Sequence, residues 1–153
     1  MPFQITALPY ASFAPLFAMD DAALLHHRAR RVTAGEGSPC RVSLQDAAPG
    51  ETLLLVNHTH QPADTPFHAS HAIFVREGAK QARPARGEVP DQLRARTLSM
   101  RAFDADGMIV DCRLADGRDC DGPLTALLAL PGVDHVDLDY AAYGCFAARA
   151  TAA

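Results

Sequence analysis

Four of the seven histidines fall in one stretch, NHTHQPADTPFHASHAIFV, residues 57–75, which also holds Asp64 and two prolines. His58 and His60 are two apart, so on a strand they share a face with Cα atoms roughly 6.5–7 Å apart, close enough to hold one ion. His68 or His71 would close the set. One reading therefore makes His58, His60 and His71 ligands of a divalent metal such as Zn, Fe or Ni; the cofactor is otherwise unknown. A second reading is a connection whose histidines only hydrogen-bond backbone or water. A third is acid–base chemistry: His71 has the strand parity of Ile73 and Val75, which turns it toward the core. Burial there lowers an imidazole's pKa and keeps it neutral, suited to act as a base or hydrogen-bond donor. Asp64 would orient a histidine, and His60 stands beside it in the candidate catalytic set.

Cysteine and arginine supply the other groups. Cys40, Cys112, Cys120 and Cys145 form no C-x-x-C pair, which disfavours cysteine-rich structural zinc and a disulfide framework. Cys40 and Cys145 sit beside strand starts with Arg41 and Arg149 near in sequence, and a guanidinium close to a thiol favours the thiolate. Cys145 joins His71, His60 and Asp64 as a candidate catalytic group. Arg41, Arg76, Arg101 and Arg149 lie in strand-like runs, and two of them converging with a histidine would receive a carboxylate or phosphate. Arg41, Ser70, Arg101 and Cys40 are accordingly the candidate ligand-binding residues. His135, Asp137 and Asp139 alternate with Val136, Leu138 and Tyr140, the pattern of a half-buried strand with its acids in water.

These groups need a scaffold, and 153 residues at 48% hydrophobic are enough for one domain, residues 1–153, with one core. With 14 Lys+Arg against 18 Asp+Glu the net charge is −4, so the basic footprint of a nucleic-acid or anionic-membrane binder is missing. No segment approaches the roughly 20 apolar residues of a membrane span. The start lacks a cationic region followed by an apolar run, which leads us to expect a cytoplasmic protein. The expected partner is a small, anionic molecule. A non-catalytic interaction module, pairing as a homodimer through an exposed strand edge or apolar patch, is the competing class.

The local patterns predict an α+β fold, with a mostly antiparallel sheet and a few short helices packed on one side. Asp20 caps a helix over DAALLHHRARR. CRVSLQD alternates as a strand and, across Pro49-Gly50, pairs with ETLLLVNH in a hairpin over 41–58. SHAIFVRE is a third strand, and TLSMRAF and MIVDCRLA form a hairpin around Asp104-Ala-Asp-Gly107. GPLTALLAL is an apolar helix ended by Pro131-Gly132, followed by the strands VDHVDLDY and CFAARATA.

PCRVSLQDAAPGETLLLVN, HQPADTPFHASHAIFVREG, RAFDADGMIVD and GCFAAR together resemble the bacterial family DUF1203, a domain of unknown function, from about Phe3 to Arg149. The resemblance implies a small bacterial protein of unassigned activity. It favours Cys40, Arg41, His60, Asp64, Ser70, His71, Arg101, Gly144 and Cys145 as the matched polar positions. His58 and His68 fall where other side chains are usual, which weighs against a four-histidine metal site.

Overall fold

Apolar alternation in the second half of the chain builds the larger of two antiparallel sheets. In the computed structural model, which describes residues 2–153, the elements run β1 (Phe3–Thr6), α1 (Ala14–Phe17), α2 (Asp21–His26), β2 (Ala29–Thr33), β3 (Ser38–Pro39), β4 (Asp46–Ala47) and β5 (Thr52–Gln61). They continue through β6 (Ala69–Arg76), α3 (Asp91–Arg94), β7 (Thr97–Asp104), β8 (Ile109–Asp116), α4 (Asp121–Leu128), β9 (Val133–Tyr140) and β10 (Cys145–Ala152). The five-stranded sheet has the order β1-β10-β9-β7-β8, the three-stranded sheet β2-β5-β6, and β3 and β4 form a small pair. The fold is α+β, as expected. Among the described residues no helix is long and apolar enough to cross a membrane.

Each sheet buries one face under helices. Leu98 and Met100 of β7 and Val136 and Leu138 of β9 pack with Leu93 of α3 and with Leu124 and Leu127 of α4. Each such side chain stabilises the fold by about 1.5–3 kcal/mol. Phe13 and Leu24, from the α1–α2 region, cover Val56 of β5 and Ile73 and Val75 of β6, together with Cys40 and Val42.

Two local expectations are overturned. The helix opening at Asp20, whose carboxylate accepts from Ala23 N–H at 2.8 Å, stops at His26 instead of running through RARR. Arg28 takes a left-handed φ of 50°, and Ala29–Thr33 then pairs with β5 in register Ala29↔Val56 to Thr33↔Thr52. Helix propensity there yields to the backbone pairing that β5 requires on its second edge. The run CRVSLQD is likewise a turn linking β3 to β4, with Leu44 at φ 51°. Cys40, Val42 and Leu44 are all buried, as their alternation implied, but so is Arg41, at 2% exposure. The turn is fastened to β6 by Arg41 N–H donating to the Phe74 carbonyl at 3.0 Å. The hairpin partners of β5 are β2 and β6.

Strand β9 sits inside the larger sheet, and here a third expectation fails. Val136, Leu138 and Tyr140 face the core, yet His135, Asp137 and Asp139 on the opposite face are buried too, both aspartates at 0% exposure. The end of β5 and the start of β10 cover that face.

Candidate functional site

The cover over β9 is made by rings. His60 of β5 stacks on Phe146 of β10, centroids 5.0 Å apart and planes within 18°, and on His71 of β6 at 4.6 Å and 26°. His60 Nδ1 lies 3.0 Å from Asp137 Oδ2; an ionised carboxylate only accepts, so Nδ1 carries the proton. Arg149 of β10 grips the same carboxylate, Nε to Oδ1 at 2.8 Å and Nη2 to Oδ2 at 3.2 Å, and also donates from Nη2 to the His60 carbonyl at 2.9 Å. Register explains the meeting, since Arg149 and Arg101 both lie opposite Asp137 on neighbouring strands. Burial alone would raise the Asp137 carboxyl; the hydrogen bonds from His60 and Arg149 outweigh it and hold the group below the usual carboxylate range.

Asp139, two residues on, has no such support. Neither of its oxygens has a hydrogen-bond partner among the described residues, and its nearest cation, Arg101 Nε, stands 3.3 Å from Oδ2. Burial pushes this carboxyl up to about 6, against the opposing pull of Arg101, His60 and Arg41. His60 Nε2 and His135 Nε2 are likewise buried without partners.

Beside His71 the chain leaves a cavity of about 830 Å³, walled by Arg41, Leu55, Ser70, His71, Phe74, Tyr140 and Cys145 among others. His71 Nδ1 accepts the Phe146 N–H at 2.9 Å, so its proton sits on Nε2. Burial first, then the charges of His60, Arg101 and Arg41, lower its pKa to about 4. The imidazole is therefore neutral at physiological pH and has an N–H to give. Arg41 donates from Nε to the Phe146 carbonyl at 2.7 Å, from Nη1 to the Pro39 carbonyl at 2.5 Å and from Nη2 to Cys145 Sγ at 2.9 Å. Its guanidinium lies 5.0 Å from the centroid of the Tyr140 ring, as does that of Arg96. Burial lowers the Arg41 pKa, with Cys145 and Tyr140 acting in the other direction.

Of the residues singled out from sequence, His60, His71, Arg41, Arg101 and Cys145 converge here, and Ser70 lies on the cavity wall. Asp64 and His68 are exposed on the β5–β6 connection; the carboxylate that orients His60 is Asp137. Cys40 is packed in the core under β6, where its sulfur accepts the Arg76 N–H at 3.3 Å, so it does not face a ligand. His58 lies opposite His71 in register, between Phe13 and Phe146, and burial lowers its pKa. His58, His60 and His71 share a face as the spacing implied. Stacked rings, however, hold their in-plane nitrogens side by side, and among the described residues no three His, Cys, Asp or Glu side chains group as metal ligands. Arg76 pairs with Glu51 at 3.7 Å, away from the site.

Residues 37–151 match a family described as a protein of unknown function, DUF1203. No curated protein and no solved structure matches the chain.

Proposed function

The chain belongs to the DUF1203 family, whose description gives no activity, and on that premise we propose that it binds a small anionic molecule with an apolar body in the cavity beside Arg41. One observation carries the reading: the Arg41 guanidinium is 2% exposed, lines the cavity and has no carboxylate partner among the described residues. A buried cation without a counter-charge is costly, and a bound carboxylate or phosphate would supply one. Three of its five N–H groups are engaged by Phe146, Pro39 and Cys145, which leaves two for a ligand. The Nε2–H of His71 is a further donor, and Leu55, Ala72 and Phe74 offer an apolar wall. The volume lies in the range of small-molecule sites, roughly 300–1,000 Å³.

The same geometry favours binding over proton abstraction. A histidine whose Nδ1 is capped by a main-chain amide presents an N–H, not a lone pair, so His71 serves as a hydrogen-bond donor.

The test is thermal unfolding with panels of carboxylates, phosphates and sulfonates, followed by calorimetry on those that stabilise. A ligand present at a hundredfold excess over its Kd stabilises by about 2.7 kcal/mol. Arg41→Gln is expected to abolish the effect. Ala72→Trp, which fills the cavity from an exposed position and touches none of the Arg41 bonds, is expected to abolish it as well. If no anion stabilises the protein, or if both variants bind as well as the parent, the reading is wrong.

A further inference from the structure

The five-stranded sheet ends on β8, with no strand beyond it among the described residues. Along that edge the Cys112 N–H donates to the Asp111 carboxylate at 2.8 Å. An N–H satisfied in this way is one that the β7 ladder leaves free. Cys112, and by alternation Leu114, thus turn their backbone groups outward, while Val110 sits at an irregular step in the pairing with β7. Cys112 and Leu114 share a face; Leu114 is 71% exposed and Val110, at the irregular step, 42%, which leaves an uncovered apolar edge of the kind that pairs with another strand. Between them stand two opposite charges, Asp111 and Arg113, held to one another at 3.0 Å on the surface.

We infer that a second copy of this chain pairs antiparallel along β8 about a two-fold axis at Cys112, joining the two larger sheets into one. The charges select this register. With the axis at Cys112, Asp111 of each copy faces Arg113 of the other, and Cys112 meets itself. Moving the axis by one residue sets Asp111 against Asp111 or Arg113 against Arg113, and like charges directly opposite are unfavourable. The exposed pair within one chain contributes little, so exchanging it across the axis is cheap. The exchange also releases the Cys112 N–H to donate to the Cys112 carbonyl of the second copy. The contact repeats the same patch on both partners, as a two-fold dimer requires.

Sedimentation velocity over a wide concentration range tests this. The parent is expected to be a dimer, Asp111→Arg and Arg113→Asp each a monomer, and the double variant D111R/R113D a dimer again, because it reverses every facing pair. Circular dichroism confirms that each variant is folded. Mild oxidation is expected to cross-link the parent into a covalent dimer that Cys112→Ser cannot form. A parent that stays monomeric at the highest concentration, single variants that dimerise like the parent, or a double variant that stays monomeric would each overturn the inference.

Discussion

Burial moves the titrations of Asp139 and His71 in opposite directions. The folded state keeps the Asp139 proton up to about 6, whereas the unfolded chain releases it near 3.8. The folded state therefore binds more protons in that window, and this contribution to stability is lost as pH rises through it. His71 has the reverse sign: its folded value is about 4 against 6.5 unfolded, so its contribution is full above 6.5 and is lost as pH falls toward 4. The two oppose one another, which flattens the parent's profile in mildly acid solution. Asp139→Asn removes the first branch. The variant is expected to gain up to about 3 kcal/mol over the parent near neutral pH and little near pH 4, read from urea unfolding at both; an equal difference at the two pH values would refute this. His71→Asn is expected to lose the acid-side decline. Only one of these two residues was legible. Alternation with Ile73 and Val75 turns His71 inward, but in VDHVDLDY a period of two says which residues share a face and not what covers it. The cover comes from Phe146 across the β9–β10 hairpin and from His60, whose partner Asp137 is 77 residues away in sequence.

Elements were legible where their punctuation is local. The hairpin of β7 and β8 follows from alternation around an Asp-Gly tip, and Gly107 at φ 85° supplies the conformation that the tip needs. The end of α2 was hidden because its stop is an arginine. Arg28 occupies the position after the helix cap, with a φ of 50° that glycine adopts freely and other residues adopt at a cost of about 1–2 kcal/mol. Its side chain is exposed. Arg28→Gly is accordingly expected to stabilise the protein by about 1 kcal/mol, less whatever glycine adds to the entropy of the unfolded chain. A shift of the urea midpoint measures it, and a lowered midpoint would count against this account of the helix end. CRVSLQD misleads for a related reason. A turn that wraps onto the core buries alternate residues as a strand does, and Leu44 at φ 51° is not a residue type that announces a turn.

Across the molecule, Asp137 is where the two sheets are joined by charge: His60 comes from the three-stranded sheet, and Arg149 from the strand beside Asp137 in the five-stranded one. Asp137→Ala would strand both partners, and breaking a buried pair in this way costs about 3–5 kcal/mol. Asp137→Asn keeps the shape and is expected to lose less, as chemical denaturation of the two variants would show. If the alanine variant is as stable as the parent, the network does not couple the sheets. No segment of the sequence contains that link: register sets Arg149 opposite Asp137, but His60 reaches it from the other sheet, 77 residues away. A different kind of consequence attaches to Phe146, whose main chain gives its amide hydrogen to His71 and its carbonyl to Arg41. Replacing the side chain at 146 leaves both of these bonds available. A change of residue type at 146 thus costs the buried stack on His60 but spares the two main-chain bonds, whereas a change in chain length threatens both, because β10 already carries an irregular step between Phe146 and Ala148. One residue inserted or deleted there would swing both groups away from their targets together.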